Sequence, residues 1–176
     1  MDRALDIPLI LQDHVLSDIS LTVSDLVGLA GRFEHLAYIK LESGNIIHKA
    51  RALLAASEGQ LAGVFGGNSG IFLPEEVEAG CCGTMPACYM PEVFRKTWDL
   101  LESGDMEAAH SWFLPFSRLA AYEKEVANRC VWKALLVERG IIASGAVREP
   151  VPAFADDWQR EQLLRVAHRA GLFEQY

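Results

Sequence analysis

"LAYIKLE" (residues 36–42) followed by "NIIHKARALLAASEG" (residues 45–59) is the stretch that decides the fold. The first segment is a short apolar run with β-branched and aromatic residues, which is typical of a buried strand. The second has apolar residues at helical spacing, opens on Asn45, a good N-cap, and ends near Gly59. Together they predict one β-strand followed by one α-helix.

The same alternation extends over residues 1–90. Near-continuous apolar strands separated by helices are typical of a parallel sheet buried on both faces. The predicted strands cover residues 7–12, 36–42, 61–67 and 80–87, and the predicted helices cover residues 21–33, 45–59 and 73–80. Successive strands begin about 20 to 30 residues apart, the spacing that βα repeats require. The predicted fold class is therefore α/β.

From Pro91 onward the pattern is helical. The predicted helices cover residues 91–105, 106–127, 128–140 and 156–171, and a loop with two prolines covers residues 141–154. Pro115 falls inside the second of these helices and should kink it or lie near a local irregularity. We expect residues 91–176 to pack on residues 1–90 as one structural domain.

The charge balance limits the classes of partner. The formal net charge is −8 and the chain has no basic tract, which argues against nucleic acid and anionic membrane surfaces. No apolar stretch approaches the ~18 residues of a membrane span. The first residues, "MDRALDIPLILQDH" (1–14), combine acidic Asp2 and Asp6 with a short apolar run, so we expect no secretory signal and a cytoplasmic protein.

The four cysteines do not have the spacing of a zinc site. Cys81, Cys82, Cys88 and Cys130 form no pair of CxxC motifs and no CxxC with HxxxH. We therefore expect reduced thiols that serve mainly as small apolar side chains.

Lys40 is the unexpected residue of the strand at 36–42. Lysine is a poor strand former, and burial of its ammonium is costly unless the charge is paired or lost. Strand alternation places Tyr38, Lys40 and Glu42 on one face, so Glu42 is a candidate partner for Lys40. The residues alone leave three alternatives open: a lysine that reaches solvent, a buried ion pair, or a functional amine.

The order of motifs resembles the dihydrodipicolinate synthase and N-acetylneuraminate lyase family. The segments that carry the resemblance are "IPLILQD" (7–13), "AYIKLES" (37–43), "GVFGGNSG" (63–70), "EAGCCGTMPA" (78–87), "LLESGDMEAA" (100–109) and "VREPVPAF" (147–154). Members of that family are (β/α)₈ barrels that form a Schiff base between a strand lysine and a 2-oxo acid. The resemblance implies the C-terminal half of a TIM barrel, strands five to eight, with the family's C-terminal helices.

By this resemblance Lys40 is the Schiff-base lysine of the sixth strand. A lysine that loses solvation inside a barrel is more readily the neutral, nucleophilic amine. The implied activity is that of a lyase acting on a 2-oxo acid, either pyruvate-type or a sugar-derived 2-keto-3-deoxy acid, by aldol cleavage or condensation or by dehydration. The imine is the electron sink, so no metal or organic cofactor is implied.

The chain departs from the family pattern next to the lysine. Family members usually carry a Tyr-Asn pair where Gln12 and Asp13 stand, and the tyrosine relays protons to the lysine. Gln12 can hold a carbonyl or a water, and Asp13 is either an acid/base or a solvated carboxylate at the strand end. We expect His14 to be a loop residue. The missing tyrosine favours dehydratases or aldolases of sugar-derived 2-oxo acids over an ordinary dihydrodipicolinate synthase.

The substrate-binding candidates follow the predicted strands. Gly66, Gly67 and Asn68 lie where active sites of this fold are found, and the glycines would let backbone amides approach a ligand; a plain tight turn is the alternative. Glu42 could bind a substrate hydroxyl. The resemblance places the backbone near Thr84 opposite the substrate carboxylate, with a packing role as the alternative.

A half-barrel leaves open edges and an exposed inner face. The family's glycine- and threonine-rich carboxylate-binding segment has no counterpart in the sequence. We therefore expect a homo-oligomer or association with a complementary half-barrel, and an isolated half would leave Lys40 in water. Two functions compete: a Schiff-base lyase, and a truncated, non-catalytic fragment or assembly module of such a barrel.

Overall fold

The structure of the protein, a computed structural model, describes residues 6–14, 16, 19–126, 131–148 and 156–175. It divides into two compact units, called unit 1 (residues 1–68 and 75–85) and unit 2 (residues 69–74 and 86–176). The packing of the whole chain as one structural domain stays a prediction.

Unit 1 is built on a four-stranded parallel sheet. Its strands are β1 (Leu9–His14), β2 (Leu36–Glu42), β3 (Gly63–Gly66) and β4 (Gly83–Thr84), in that spatial order. The connecting helices are α1 (Val23–Arg32), α2 (Ile46–Ala56) and α3 (Leu73–Glu78). The predicted α/β fold with a parallel sheet is confirmed.

Local capping chemistry sets where α1 and α2 begin. The Thr22 side chain accepts from the Asp25 amide while the Asp25 carboxylate accepts from the Thr22 amide, which is a complete capping box. The Asn45 side chain accepts from the amide of His48, so α2 begins where the sequence predicts.

The core of unit 1 lies between the sheet and these helices. Ile39, Leu41 and Val64 point from the strands toward Leu26 of α1 and Leu53 of α2, and all five are essentially inaccessible to solvent. Burial of each such side chain stabilises the fold by about 1.5–3 kcal/mol. The opposite face of the sheet carries Lys40 and its neighbours.

Strand β1 begins and ends two residues later than predicted. The apolar run predicts a strand over residues 7–12, whereas β1 runs Leu9–His14. Asp13 and His14 therefore lie in the strand, and the expectation of a loop position for His14 is wrong. Polar residues are tolerated at this strand end because each has a partner on a neighbouring element, as described below. Strand β4 is also much shorter than the predicted 80–87.

Unit 2 contains the remaining helices. These are α4 (Pro91–Glu102), α5 (Met106–Glu125), α6 (Trp132–Glu138) and α7 (Asp157–Arg169), with a short 3-10 turn at Leu172–Glu174. A second 3-10 turn, Asn68–Gly70, begins at the last residue of the first segment of unit 1. Helix α5 packs against α4 and α7, and Phe113, Phe116, Leu119 and Leu163 are buried in this unit. Pro115 lies within α5 without ending it. Cys130 and the two prolines of the predicted loop fall outside the described residues.

None of the helices in the described part of the chain is long and apolar enough to cross a membrane.

Glu76 of α3 is a buried carboxyl in unit 1. Glu76 is 1% exposed, and neither of its carboxyl oxygens makes a well-formed hydrogen bond in the described part of the chain. A Cβ at Gly66 would overlap this carboxyl, so the glycine provides the space that Glu76 occupies. Burial raises the pKa of Glu76 to about 7, and the Thr84 side chain and the Gly67 amide offset only part of that rise.

We predict that Glu76→Gln changes how stability depends on pH. Between about pH 4.5 and pH 7 the unfolded chain releases the Glu76 proton while the folded chain keeps it, so rising pH favours unfolding of the wild type. Relative to Glu76→Gln, the wild type should lose about 3 kcal/mol of unfolding free energy across this window. Urea unfolding at about pH 4 and about pH 8 measures the difference.

The exposed Glu78→Gln is the matched control and should follow the wild type. Parallel pH profiles for the wild type and Glu76→Gln would contradict the buried, protonated carboxyl.

Candidate active site

Lys40 lies on the open face of the sheet, on the strand with a neighbour on each side. It pairs in register with Gln12 of β1 and Phe65 of β3, and these three share the face opposite the apolar core. Its side chain is only 16% exposed, and its Nζ lies 3.0 Å from Oε2 of Glu42. The expectation that Lys40 would sit in water in a half-barrel is therefore wrong.

The Glu42 carboxylate is the common acceptor for the polar groups on this face of the sheet. Its Oε2 accepts from Nε2 of Gln12 and contacts Lys40, while its Oε1 accepts from the Asn68 backbone amide at 2.8 Å. Burial opposes ionisation of Glu42, but the Asn68 amide, Lys40 and Gln12 outweigh it, so the pKa of Glu42 is lowered. Glu42 is an anionic acceptor beside the amine.

Gly67 makes room for this carboxylate. A Cβ at Gly67 would lie 2.5 Å from Oε1 of Glu42, closer than real Cβ atoms approach. The structure thus gives the two glycines of the loop a packing reason: Gly67 accommodates Glu42 on one face, and Gly66 accommodates Glu76 on the other. The sequence predicted either close approach of a ligand or a plain tight turn, and the binding role stays a prediction.

The residues after Gly67 form a left-handed turn. Asn68, Ser69 and Gly70 have φ values of 52°, 59° and 75°, and two of these are not glycine. This turn directs the Asn68 amide to Glu42, and the Ser69 hydroxyl donates to Oε2 of Glu123 at 2.9 Å. Asn68 therefore joins the site through its backbone.

Asp13 points away from Lys40. It pairs with Leu41, whose side chain is in the core, so its carboxylate lies on the helix side of the sheet. There its Oδ2 accepts from Nζ of Lys49 at 2.6 Å and from the Ser43 hydroxyl. Lys49 also donates to the Leu21 carbonyl at 2.7 Å. This cluster ties β1 to α2, and the geometry brings Gln12 but not Asp13 to the amine.

Thr84 pairs with Gly66, and its hydroxyl is buried on the side of Glu76. Its side chain thus contributes to the packing around Glu76.

His14 is the residue that sequence reasoning missed. As the last residue of β1 it pairs with Glu42, and its Nε2 lies 3.8 Å from Oε2 of Glu42. The signal was available: residues 12 and 14 share a face if the strand extends two residues further than its apolar run.

The described residues hold no group of three or more His, Cys, Asp and Glu side chains arranged as metal ligands. What the site does contain is an amine with a carboxylate at hydrogen-bond distance. Such a pair can exchange a proton, which leaves a neutral amine able to attack a carbonyl carbon.

No family model matches the sequence. The curated L-2-keto-3-deoxyarabonate dehydratase of Azospirillum brasilense is 29% identical over 166 residues, which is 94% of this chain and 53% of that enzyme. The chain thus spans about half the length of this relative.

Solved structures agree with this match. Dihydrodipicolinate synthase from Rhodopseudomonas palustris is 27% identical, with a TM-score of 0.83 over 93% of this chain and 56% of the other. The pyruvate complex of the chloride-inhibited dihydrodipicolinate synthase from Acinetobacter baumannii, at 23% identity, has a TM-score of 0.82 over 97% and 57% of the two chains, which bears on the fold. The architecture is half of a TIM barrel with C-terminal helices, and over that half the sequence is similar to the dehydratase of Azospirillum brasilense and the synthase of Rhodopseudomonas palustris.

Proposed function

We propose that the protein is a lyase in which Lys40 forms a Schiff base with a 2-oxo acid and Glu42 transfers the protons. The observation that carries the proposal is the 3.0 Å contact between Nζ of Lys40 and Oε2 of Glu42 on the open face of the sheet. The similarity to a 2-keto-3-deoxy acid dehydratase and to a dihydrodipicolinate synthase supports the same role for Lys40.

Glu42 begins the reaction as a base. It takes a proton from the Lys40 ammonium, and the freed lone pair of the amine attacks C2 of the 2-oxo acid. The C2 oxygen then takes that proton from Glu42 and becomes a hydroxyl. The nitrogen then returns a proton to Glu42, which passes it to that hydroxyl, and water leaves. The product is a protonated imine, and Glu42 is again a carboxylate.

The imine then draws electrons from the substrate. Glu42 removes a proton from C3, and the bonding pair moves into an enamine. The same proton goes to a hydroxyl on C4, which leaves as water, and hydrolysis of the imine releases the dehydrated product. A carboxylate that works first as base and then as acid replaces the tyrosine usual in the family, while Gln12 holds it in place.

The proposed substrate is a sugar-derived 2-keto-3-deoxy acid with a hydroxyl at C4. The relative from Azospirillum brasilense is named for dehydration of such a compound. Glu42 supports this assignment because dehydration needs an acid near the leaving hydroxyl, and Gln12, which stands in the tyrosine position, has no ionisable proton.

An assembly module is the second candidate. Strand β1 is the first strand in the order of the described sheet, and Ile10, on the face of Lys40, is 49% exposed. A second copy or a complementary half-barrel would cover such a surface. If the protein is an assembly module, this association is its whole function.

We predict that borohydride with saturating pyruvate leaves a reduced adduct on Lys40. Peptide mass mapping should find it on the peptide that contains Lys40 and not on the one that contains Lys49, whose amine is held by Asp13. Lys40→Arg should abolish the adduct. Absence of an adduct in the wild type, at any solution size the chain adopts, would favour the assembly module.

We predict that Gly67→Ala slows this trapping. The new methyl group displaces the Glu42 carboxylate from Lys40, and loss of a positioned acid/base typically costs on the order of 10²-fold or more in rate. Glu42→Gln should give a loss of the same order, because the amide cannot take the proton. Trapping rates under fixed borohydride and pyruvate measure both.

Gly28→Ala is the matched control, since a Cβ at Gly28 meets nothing within 4 Å. If Gly67→Ala traps as fast as Gly28→Ala, Glu42 is not the proton acceptor.

A further inference from the structure

His14 contacts Glu42 from the neighbouring strand β1. It is the register partner of Glu42, and its Nε2 lies 3.8 Å from Oε2, the oxygen that Lys40 contacts. Its side chain is 35% exposed, whereas that of Glu42 is 10% exposed. The mechanism above does not use it.

A backbone contact determines which nitrogen of His14 carries the proton. The Leu16 amide donates to Nδ1 at 3.0 Å. A backbone amide can only donate, so Nδ1 is the acceptor, and this contact assigns the ring hydrogen to Nε2. That hydrogen is on the atom nearest Glu42, and a small rotation of either side chain closes the 3.8 Å gap to a hydrogen bond.

Glu42 needs this donor when Lys40 is covalently engaged. In the free protein the ammonium supplies the positive charge beside Oε2. In the enamine the Lys40 nitrogen is neutral, so that charge is absent at the stage when Glu42 must give the C3 proton to the C4 hydroxyl and become a carboxylate again. Gln12 and the Asn68 amide remain as donors, and Glu76 repels Glu42 from beyond the glycines only when both carboxyl groups are ionised.

We propose that His14 is a positioning residue whose Nε2–H favours the carboxylate form of Glu42 next to Lys40 and stands in for the lost ammonium at the enamine stage. This inference rests on the proposed function, since it assigns His14 to the proton chemistry of the same lysine. His14 itself touches no reacting atom and transfers no proton.

The test is the ionisation of Glu42 in the free protein, which needs no turnover. Carboxyl ¹³C NMR of labelled protein follows its midpoint, and loss of one signal in Glu42→Gln assigns the resonance. Among the described residues, Glu42 faces Lys40, His14, Gln12 and the Asn68 amide, with Glu76 beyond the glycines. Of these groups, only His14 itself is altered in the His14 variants.

His14→Leu should raise the Glu42 midpoint by on the order of half a pH unit or more, because a donor to the carboxylate is lost. His14→Gln, which keeps an N–H near the position of Nε2, should restore most of it. His48→Leu, at an exposed position of α2, should leave it unchanged.

The acid limb of the trapping rate on Lys40 should move with the midpoint. An unchanged midpoint in His14→Leu, or equal shifts in the Leu and Gln variants, would overturn the role of His14 while leaving an adduct on Lys40 intact. A wild type that forms no adduct refutes the lyase proposal, whatever the titration shows.

Discussion

The contact between the Lys40 ammonium and the Glu42 carboxylate is the constraint around which unit 1 is arranged. A charge pair removed from water keeps its place only if further hydrogen bonds satisfy the remaining lone pairs. Three elements meet this need: β1 through Gln12, β2 through the pair itself, and the turn after β3 through the Asn68 amide. The hydrogen bonds around the pair therefore depend on the sheet register, which places Gln12 on one side of Lys40 and the end of β3 on the other.

The two faces of the sheet solve the problem of polar burial differently. On the helix side, Asp13 and Lys49 form a closed structural pair with Ser43, which fastens β1 to α2. On the open side, Glu42 holds an amine whose proton it can accept. The same residue types thus form a structural pair on one face and, in the proposed function, a reactive pair on the other.

Elements with local signals were predictable, and those that depend on distant partners were not. Strand β2 and helix α2 follow from alternation and from the Asn45 cap, which are properties of neighbouring residues. Strand β1 was displaced by two residues because Asp13 and His14 look like loop residues until Lys49 and Glu42 are in place. The pairing of Lys40 with Glu42 follows from strand alternation, but the chemical role proposed for Lys40 rests on resemblance. The burial of Glu76 had no local signal, since it depends on the missing side chain of Gly66, ten positions earlier.

The Gly66–Gly67 dipeptide lies between two carboxyl groups, one on each face of the sheet. Each glycine therefore leaves the space that one acidic side chain fills: Gly67 for Glu42, and Gly66 for Glu76. Among natural variants or library members, a bulkier residue at either glycine should survive only alongside a shortened side chain at the matching acid. Paired exchanges of this kind would be a signature of the site readable in sequence data alone.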